Sequence, residues 1–185
     1  MLIHKGTKTI ETERLILRHA FVEDAEPMFR NWASDPEVTR FLTWPTHESV
    51  DVSRFVAESW AAESEKEDSY QWMIVLKTLN EPIGSISVVD LDEKIKKAEI
   101  GYCIGKTWWG MGIMSEALSA VMAFLFDEVG MNRIEARHDA NNPRSGGVMK
   151  KCGMVYEGTA RQYGWNNQGL CDICQYAALA EDRRK

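Results

Sequence analysis

The sequence predicts one α/β domain, built on a mixed, mostly antiparallel sheet of about seven strands with helices on both faces. The chain has 185 residues, which most simply form one domain with a substantial core. Segments with strand-like apolar spacing alternate with segments whose apolar residues recur at three- and four-residue steps. No internal repeat, linker or low-complexity segment divides the sequence. We therefore expect a single domain over residues 1–185, with its core at about 11–180.

The first half of the chain contains four predicted strands and two helical segments. The strands are Leu15 to Arg18, Gln71 to Lys77, Ile83 to Asp90 and Ala98 to Ile104, and the helical segments run from Asp24 toward Trp32 and from His47 to Glu63. Asp24 is expected to cap the first helix, which ends at Asp35-Pro36 because proline disfavours a helical residue before it. The segment Leu79 to Pro82 predicts a hairpin turn between the second and third strands.

The second half begins with a strongly amphipathic helix. Its apolar stripe consists of Met114, Ala117, Leu118, Val121, Met122, Leu125 and Phe126. Gly130 is placed to end this helix. A strand from Arg133 to His138 and a helix opened by Pro143 follow. Two final strands are predicted to turn at Asn166 to Gly169.

The turn Trp109-Gly110-Met111-Gly112 joins the fourth strand to the amphipathic helix. Glycines let backbone N–H groups approach an anion, and a helix N-terminus adds about half a positive charge. The turn therefore predicts a phosphate-binding cradle, with a turn that only packs helix on sheet as the alternative. Two nucleotide loops fail to fit: Gly101 to Thr107 has one residue too few between its glycines, and a dinucleotide fingerprint requires glycine where Ser115 stands.

Four blocks of the chain, in order, resemble the GNAT superfamily of acetyl-CoA-dependent N-acetyltransferases. The blocks are Thr12 to Arg18, Ala98 to Tyr102, the Trp109 to Gly112 turn, and Asn142 to Gly158, and together they span roughly Glu11 to Tyr176. The resemblance is to the branch that includes the RimJ/RimL-type ribosomal-protein N-terminal acetyltransferases, and it implies a GNAT fold with acetyl-CoA as cosubstrate. Thr107 departs from the family pattern, which has Arg or Gln three residues before the first glycine.

The resemblance implies that the cradle holds the pyrophosphate of CoA. The residues expected to contact CoA are Cys103, Ile104, Trp109, Gly110, Met111, Gly112, Ile113, Met114, Asn142 and Ser145. Cys103 and Ile104 are expected to offer backbone groups to the pantetheine arm, in a slot made where their strand splays from the next one. Arg144, Lys150 and Lys151 are candidates for the 3′-phosphate, with a solvated basic face as the alternative.

Two side chains are candidates for the acetyl transfer itself. Glu99 is a carboxylate inside an apolar strand, so it acts either as the general base, directly or through a water, or in an ion pair with Arg133, Arg137 or a lysine of the 94–97 run. Ser145 stands where the resembled branch carries a serine, which implies donation to the departing thiolate. The alternative role of Ser145 is structural: at the start of the helix, its side chain would form a hydrogen bond to the backbone.

Many members of the family place a tyrosine seven residues beyond the asparagine that Asn142 matches, and this chain has Met149 there. Cys103, close to the expected thioester, raises the alternative of a covalent acetyl-cysteine. Trp44, Tyr163 and His138 are candidates for the acceptor site. Their alternatives are aromatic packing and, for His138, a hydrogen-bonded strand-end histidine.

Composition limits the partners that we expect. The formal net charge of −6 argues against non-specific nucleic-acid binding. No apolar run reaches about 18 residues, and no hydrophobic signal core is present at the N-terminus, so we expect a cytoplasmic protein without membrane contact. Cys171 and Cys174 lack a second cysteine or histidine pair, so we expect no metal. We expect a monomer or a homodimer.

These observations predict an acetyl-CoA-dependent N-acetyltransferase that works by direct transfer in a ternary complex. The expected acceptor is a primary amine, with the N-terminal amine of a protein, ribosomal by resemblance, as the leading candidate. An acetyltransferase for a small-molecule amine and a non-catalytic acyl-CoA-binding regulatory module are the alternatives. A P-loop nucleotidase is a distant third.

Overall fold

The computed structural model describes residues 2–184 and has an eight-stranded sheet with helices on both faces. The strands are β1 (Ile10–Glu11), β2 (Leu15–Arg18), β3 (Gln71–Leu76), β4 (Glu81–Asp92), β5 (Lys97–Ile104), β6 (Arg133–Asp139), β7 (Val155–Asn166) and β8 (Gly169–Leu179). The helices are α1 (Ala25–Met28), α2 (Pro36–Thr39), α3 (Val50–Glu63), α4 (Ile113–Phe124) and α5 (Pro143–Lys151). The predicted fold class is confirmed, with one strand more than expected. That strand, β1, is two residues long and too short to show an alternating pattern.

The order of strands across the sheet is β1-β2-β3-β4-β5-β6-β8-β7. Neighbouring strands are antiparallel everywhere except at β5 and β6, which run parallel and are connected through α4. Only three residue pairs join β5 to β6: Lys97 with Arg133, Ala98 with Ile134, and Glu99 with Glu135. We call these three pairs the seam. Beyond the seam the two strands separate, which confirms the expected splaying.

Each face of the sheet covers its own apolar core. Ile100 and Ile134 face α4 and α5 in the larger core, where Leu118 and Leu125 are fully buried. The smaller core, beneath α1 and α3, contains Met28, Trp32 and Met73, and Cys103 of β5 packs against it. Because side chains alternate along a strand, β5 sends Ile100 and Tyr102 toward α5 and sends Glu99, Gly101 and Cys103 to the opposite face.

The N-terminal helical segment differs from the prediction. Asp24 is buried, and its carboxylate accepts hydrogen bonds from the Arg18 guanidinium and from the Phe21 N–H, so it does not cap α1. The helix changes to π-helical turns over Phe29–Ala33. Later in the chain, π-helical turns over Leu125–Val129 continue α4, and Gly130 follows them in the left-handed conformation (φ 84°) expected at a helix end. The final turn pairs Asn166 with Gly169 as predicted.

Among residues 2–184, no helix combines the length and the apolar character that crossing a membrane requires.

Candidate active site

The cradle is built from two glycines in the left-handed conformation, Gly110 (φ 77°) and Gly112 (φ 74°). An L side chain is strained at such angles, and glycine is not. Helix α4 starts directly after Gly112, and no side chain caps its first turn in the described structure. The N–H groups of Ile113 and Met114 belong to that uncapped turn, where the helix itself offers them no acceptor. The turn can therefore hold an anion, as the sequence predicts.

Two cationic side chains flank the cradle. A Cβ placed on Gly112 would lie 3.3 Å from Lys151 Nζ and 3.7 Å from Arg14 Nη2. Arg14 Nη1 also donates to the Met111 carbonyl oxygen at 2.9 Å, which ties the cradle to the residue just before β2. Both cations add positive potential where a phosphate would bind.

Glu116, in the first turn of α4, holds Arg14 in this position. Its Oε2 is 2.6 Å from Arg14 Nε, and its Oε1 accepts from the Arg14 backbone N–H at 3.0 Å and from Thr12 Oγ1 at 2.6 Å. Burial alone would raise the pKa of Glu116, but the hydrogen bonds from Thr12 and Arg14 outweigh it and lower the pKa. No local sequence pattern indicates a function for Arg14, because its partner Glu116 is 102 positions away.

Trp109 closes the strand end of the cradle. Its indole Nε1 donates to the Ile104 carbonyl oxygen at 2.9 Å, and the Arg144 guanidinium lies 5.1 Å from the ring centroid. Of the two residues expected to offer backbone groups to a pantetheine arm, Ile104 therefore has its carbonyl oxygen occupied by Trp109. Met111 is exposed at the tip of the turn.

The slot between β5 and β6 opens at Glu99, the last residue of the seam on β5. Glu99 is buried, with 8% of the residue's surface exposed. Its Oε1 lies 2.7 Å from Arg137 Nε across the slot. Burial raises the pKa of Glu99, and the Arg137 charge opposes that rise without cancelling it. This geometry is compatible with both hypotheses for Glu99, the ion pair and the general base. Glu99 forms the ion pair with Arg137, and its carboxylate has the raised pKa that suits a general base.

Ser145 lies on the other face of the slot, in the first turn of α5. Its Oγ is 3.0 Å from Tyr102 Oη, and the Tyr102 hydroxyl is also 3.0 Å from the Ser145 carbonyl oxygen. Among the described residues, Tyr102 is the one hydrogen-bond partner of Ser145 Oγ, so this serine does not bond to the helix backbone through its side chain. Asn142 is partly buried one turn earlier, and its side-chain amide makes no hydrogen bond to the part of the chain described.

His138 points toward α5 and not toward Glu99. Its Nδ1 lies 2.7 Å from the Asp139 carbonyl oxygen, which can only accept, so Nδ1 donates and Nε2 is left without that proton in the neutral ring. A Cβ on Gly146 would come within 2.6 Å of Nε2. The ring also packs against Tyr176, with centroids 5.7 Å apart. The structure thus gives His138 the hydrogen bond and the packing of a strand-end histidine. The ring lies against Gly146, the residue that follows Ser145.

Trp44 and the β7–β8 turn meet on the face that carries Glu99. Asn167 Nδ2 donates to the carbonyl oxygens of Thr39 (2.9 Å) and Trp44 (2.8 Å), and the Asn167 N–H donates to Leu42 (3.1 Å). We call these three hydrogen bonds the Asn167 clasp. It links the turn of the C-terminal hairpin to the loop between α2 and α3. Tyr163, 69% exposed on the edge strand β7, forms no ring pair with Trp44 among residues 2–184.

The four cysteines carry no disulfide. Cys103 has its Sγ 3.5 Å from Ser85 Oγ, and burial raises the pKa of its thiol. A raised pKa reduces the thiolate fraction and hence the nucleophilicity. Cys171 is buried and Cys174 is partly exposed. Within residues 2–184, no cluster of three or more His, Cys, Asp or Glu side chains is arranged to hold a metal ion.

The match to a family model agrees with this geometry. Residues 14–155 match the model described as an acetyltransferase (GNAT) domain. The protein is thus an acyltransferase by class, and the matched residues include the cradle, the seam and Ser145. It belongs to the GNAT family of N-acetyltransferases.

Named relatives cover nearly the whole chain. It is 35% identical over 170 residues to an uncharacterized N-acetyltransferase, YoaA, of Bacillus subtilis (strain 168), covering 92% of this chain and 96% of YoaA. It is 25% identical over 180 residues to the ribosomal-protein-serine acetyltransferase of Escherichia coli (strain K12), covering 96% and 99%. The fold is similar, at a TM-score of 0.81, to the microcin C7 self-immunity acetyltransferase MccE, solved with acetyl-CoA and AMP; identity is 20% over 91% of this chain and 93% of that one.

Proposed function

We propose that this protein transfers the acetyl group of acetyl-CoA to a primary amine, with the N-terminal amine of a protein as its acceptor. The observation that carries the proposal is the position of the slot between β5 and β6 at the end of the strand that leads into the cradle. A cradle for the pyrophosphate and a slot for the pantetheine arm, on one strand, fit a long ligand with phosphates at one end and a thioester at the other.

The proposed reaction is direct transfer within a ternary complex. The amine nitrogen attacks the thioester carbonyl carbon and forms the N–C bond, while the carbonyl electron pair moves to oxygen. That pair then re-forms the C=O bond as the C–S bond breaks, and its electrons stay on sulfur. The amine gives up one proton and the CoA thiolate gains one, so the reaction is balanced in protons.

Glu99 is the proposed base for the proton of the amine, acting directly or through a water. An α-amine titrates near 7.7–8.0 and a lysine near 10.4, so an α-amine needs the weaker base. A carboxylate whose pKa is raised by burial, and whose ionised form is stabilised by Arg137, suits that task. Ser145 is the proposed hydrogen-bond donor to the departing sulfur, because its hydroxyl lies 3.0 Å from that of Tyr102, on the strand that borders the slot, and is not used by the helix backbone.

The raised pKa of Cys103 supports direct transfer over an acetyl-cysteine intermediate. An acyl-enzyme mechanism needs a thiolate and an adjacent base. The neighbouring polar partner of Cys103 Sγ is the Ser85 hydroxyl, which is not a base at neutral pH.

A protein N-terminus is the proposed acceptor because the chain is similar, over 96% of its length, to a ribosomal-protein-serine acetyltransferase. The acceptor would reach Glu99 on the face framed by Trp44 and the Asn167 clasp. Tyr163 is exposed on β7, where it is available to a peptide acceptor beyond its first residue.

Thermal unfolding with added ligands tests the cosubstrate. We expect acetyl-CoA and CoA each to raise the Tm, because a ligand that binds only the folded state stabilises it by mass action. ATP should give no comparable shift, because it has phosphates but no pantetheine arm for the slot. Stabilisation by ATP and not by CoA would overturn the proposal.

An acceptor screen tests the second substrate. Peptides with free N-termini are compared with the same peptides acetylated at the N-terminus and with small amines, and CoA thiol release is recorded. We expect turnover with free peptide N-termini and none with the blocked peptides. Turnover with small amines alone would replace the protein acceptor by a small-molecule one. CoA binding without turnover for any amine would favour a regulatory module.

A further inference from the structure

The hydroxyl groups of Tyr102 and Ser145 form a hydrogen-bonded pair beside the slot. Tyr102 Oη is 3.0 Å from Ser145 Oγ and 3.0 Å from the Ser145 carbonyl oxygen. The tyrosine belongs to β5 and the serine to α5, so the pair bridges the slot on the face opposite to Glu99. This chain has Met149 where many members of the family carry a tyrosine on α5, and the phenol that reaches Ser145 is that of Tyr102 on β5.

The two equal distances allow the tyrosine proton to point to either acceptor. Each hydroxyl has one proton. When Tyr102 donates to the Ser145 carbonyl oxygen, the Ser145 proton can rest on Tyr102 Oη. When Tyr102 instead donates to Ser145 Oγ, the Ser145 proton is free to point into the slot. Rotation of the hydroxyl hydrogens is sufficient for this exchange, and no heavy atom has to move.

We propose that Tyr102 is a positioning residue that turns the Ser145 hydroxyl toward the sulfur of CoA as the C–S bond breaks. The inference rests on the proposed function, because it assumes that acetyl-CoA lies in the slot. As the electron pair of the C–S bond settles on sulfur, Ser145 Oγ–H donates a hydrogen bond to the thiolate and Oγ accepts one from Tyr102. The thiolate takes its proton from water as CoA leaves, and the proton of the amine leaves through Glu99.

The tyrosine is suited to this role because burial raises its pKa, so it stays protonated throughout the working range of the enzyme. A chain of two hydroxyl groups also polarises each member more than an isolated hydrogen bond does. The main-chain carbonyl of Ser145 gives the tyrosine a second acceptor between turnovers, so its partly buried hydroxyl keeps a partner in both arrangements.

The test compares Tyr102→Phe, Ser145→Ala and the double variant, with Tyr156→Phe as the matched control. Tyr156 lies on β7 and bonds to Thr159 Oγ1 at 2.7 Å, away from the slot, so its loss controls for removal of a tyrosine hydroxyl. We expect Tyr102→Phe to lower kcat about tenfold with little change in the KM for acetyl-CoA, since a hydrogen bond to a developing charge is lost. In the Ser145→Ala background the same change should have almost no effect.

The pKa of the thiol of bound CoA gives a readout that needs no acceptor. A pair that donates to the thiolate lowers this pKa, which is measured from the affinity for CoA across a range around the ordinary thiol value of about 8.5. We expect the bound thiol to titrate about one unit higher in both Tyr102→Phe and Ser145→Ala than in the wild type or in Tyr156→Phe. Should Tyr102→Phe fail to fold, uniform 3-fluorotyrosine labelling serves instead: it keeps the hydroxyl, makes it more acidic, and should lower the pKa of the bound thiol.

An unchanged kcat in Tyr102→Phe overturns the inference, and so does an equal loss in the wild-type and Ser145→Ala backgrounds. A loss of kcat without a change in the pKa of the bound thiol also overturns it, because a purely structural role predicts that result. These outcomes differ from failure of the proposed function, in which CoA does not stabilise the protein or Ser145→Ala keeps full activity.

Discussion

At the scale of single residues, the environment of Glu99 decides what its carboxylate can do. Burial raises its pKa, and the Arg137 guanidinium at 2.7 Å pulls the pKa back toward the ordinary value. The result is a carboxylate that is more basic than an exposed one and whose ionised form is stabilised by Arg137. The same contact would be read as a structural ion pair if Glu99 did not lie at the opening of the slot.

The pH profile of kcat/KM separates these roles. A base must be ionised, so activity falls as the pH drops through the pKa of Glu99, and this acidic limb should lie above the ordinary glutamate value of about 4.3. Arg137→Met removes the charge that lowers the pKa of Glu99, so the limb should move to higher pH. Glu99→Gln should abolish the limb and lower kcat/KM at least about 100-fold.

The amine of the acceptor gives a separate limb near pH 7.7–8.0, which these substitutions should leave in place. A Glu99→Gln enzyme that keeps its activity and its acidic limb would reduce Glu99 to a structural partner of Arg137. If the two side chains are directly coupled, the acidic limb of the Arg137→Met variant must lie at higher pH than that of the wild type.

At the scale of elements, α5 packs against β6 through a glycine. A Cβ on Gly146 would lie 2.6 Å from His138 Nε2 and 3.1 Å from its Cε1, whereas a Cβ on Gly147 would meet nothing within 4 Å. Both glycines lie within α5, so fixing the backbone in a helix costs about the same conformational entropy at each. Helix α5 can therefore approach β6 closely enough to bring Ser145 to Tyr102 only where residue 146 has no side chain.

Alanine substitutions at these adjacent positions should have opposite effects on stability. Gly147→Ala should stabilise the protein by about 0.5–1 kcal/mol, because alanine loses less backbone freedom in a helix. Gly146→Ala should destabilise it by about 1–3 kcal/mol, because the ring of His138 has to move. Denaturant unfolding of the two variants measures both values, and equal shifts would show that α5 does not rest on His138.

At the scale of the whole molecule, the sheet consists of two antiparallel halves that meet only at the three-pair seam. On the Glu99 face, the Asn167 clasp joins the halves again, because the β7–β8 turn belongs to one half and the loop after α2 packs on the other. The slot therefore opens between two fixed links, the seam at one end and the clasp at the other.

Loss of the clasp should weaken acceptor binding more than cosubstrate binding. Asn167→Ala removes two side-chain hydrogen bonds, and we expect the KM for a peptide acceptor to rise about fivefold, while the KM for acetyl-CoA stays unchanged. Steady-state kinetics with each substrate varied measures both constants. Gln168→Ala is the matched control. Gln168 is the next residue in the same turn, and its exposed side-chain oxygen accepts a hydrogen bond from Arg40. An equal rise in both variants would contradict the role of Asn167.

The elements that the sequence predicted well are those with local signals. The apolar stripe of α4, the glycine at residue 130 and the Asn166 to Gly169 turn each show their structure within a few residues, and all three are confirmed. The cradle was predictable for the same reason. Strand β1 was missed because two residues carry no periodicity.

The contacts that were missed are competing side-chain hydrogen bonds and contacts between residues far apart in the chain. Asp24 was expected at a helix cap, but its oxygens are taken by Arg18 and by the Phe21 N–H, and local propensity cannot show that competition. Tyr102 lies in the same predicted strand as Glu99, but its partner Ser145 is 43 residues away. Strand alternation places Tyr102 and Glu99 on opposite faces, but it does not predict that α5 brings a hydroxyl to the phenol.

The short seam is a weak line in the middle of the sheet. Strand β5 pairs with β4 through eight residue pairs, and β6 pairs with β8 through seven, but β5 and β6 are joined by three. Because so few hydrogen bonds hold the seam, we expect it to open locally before the flanking ladders, and its amide hydrogens should exchange with solvent sooner than theirs. A ligand lying in the slot would bridge this weak line, so the two halves of the sheet would unfold as one cooperative unit.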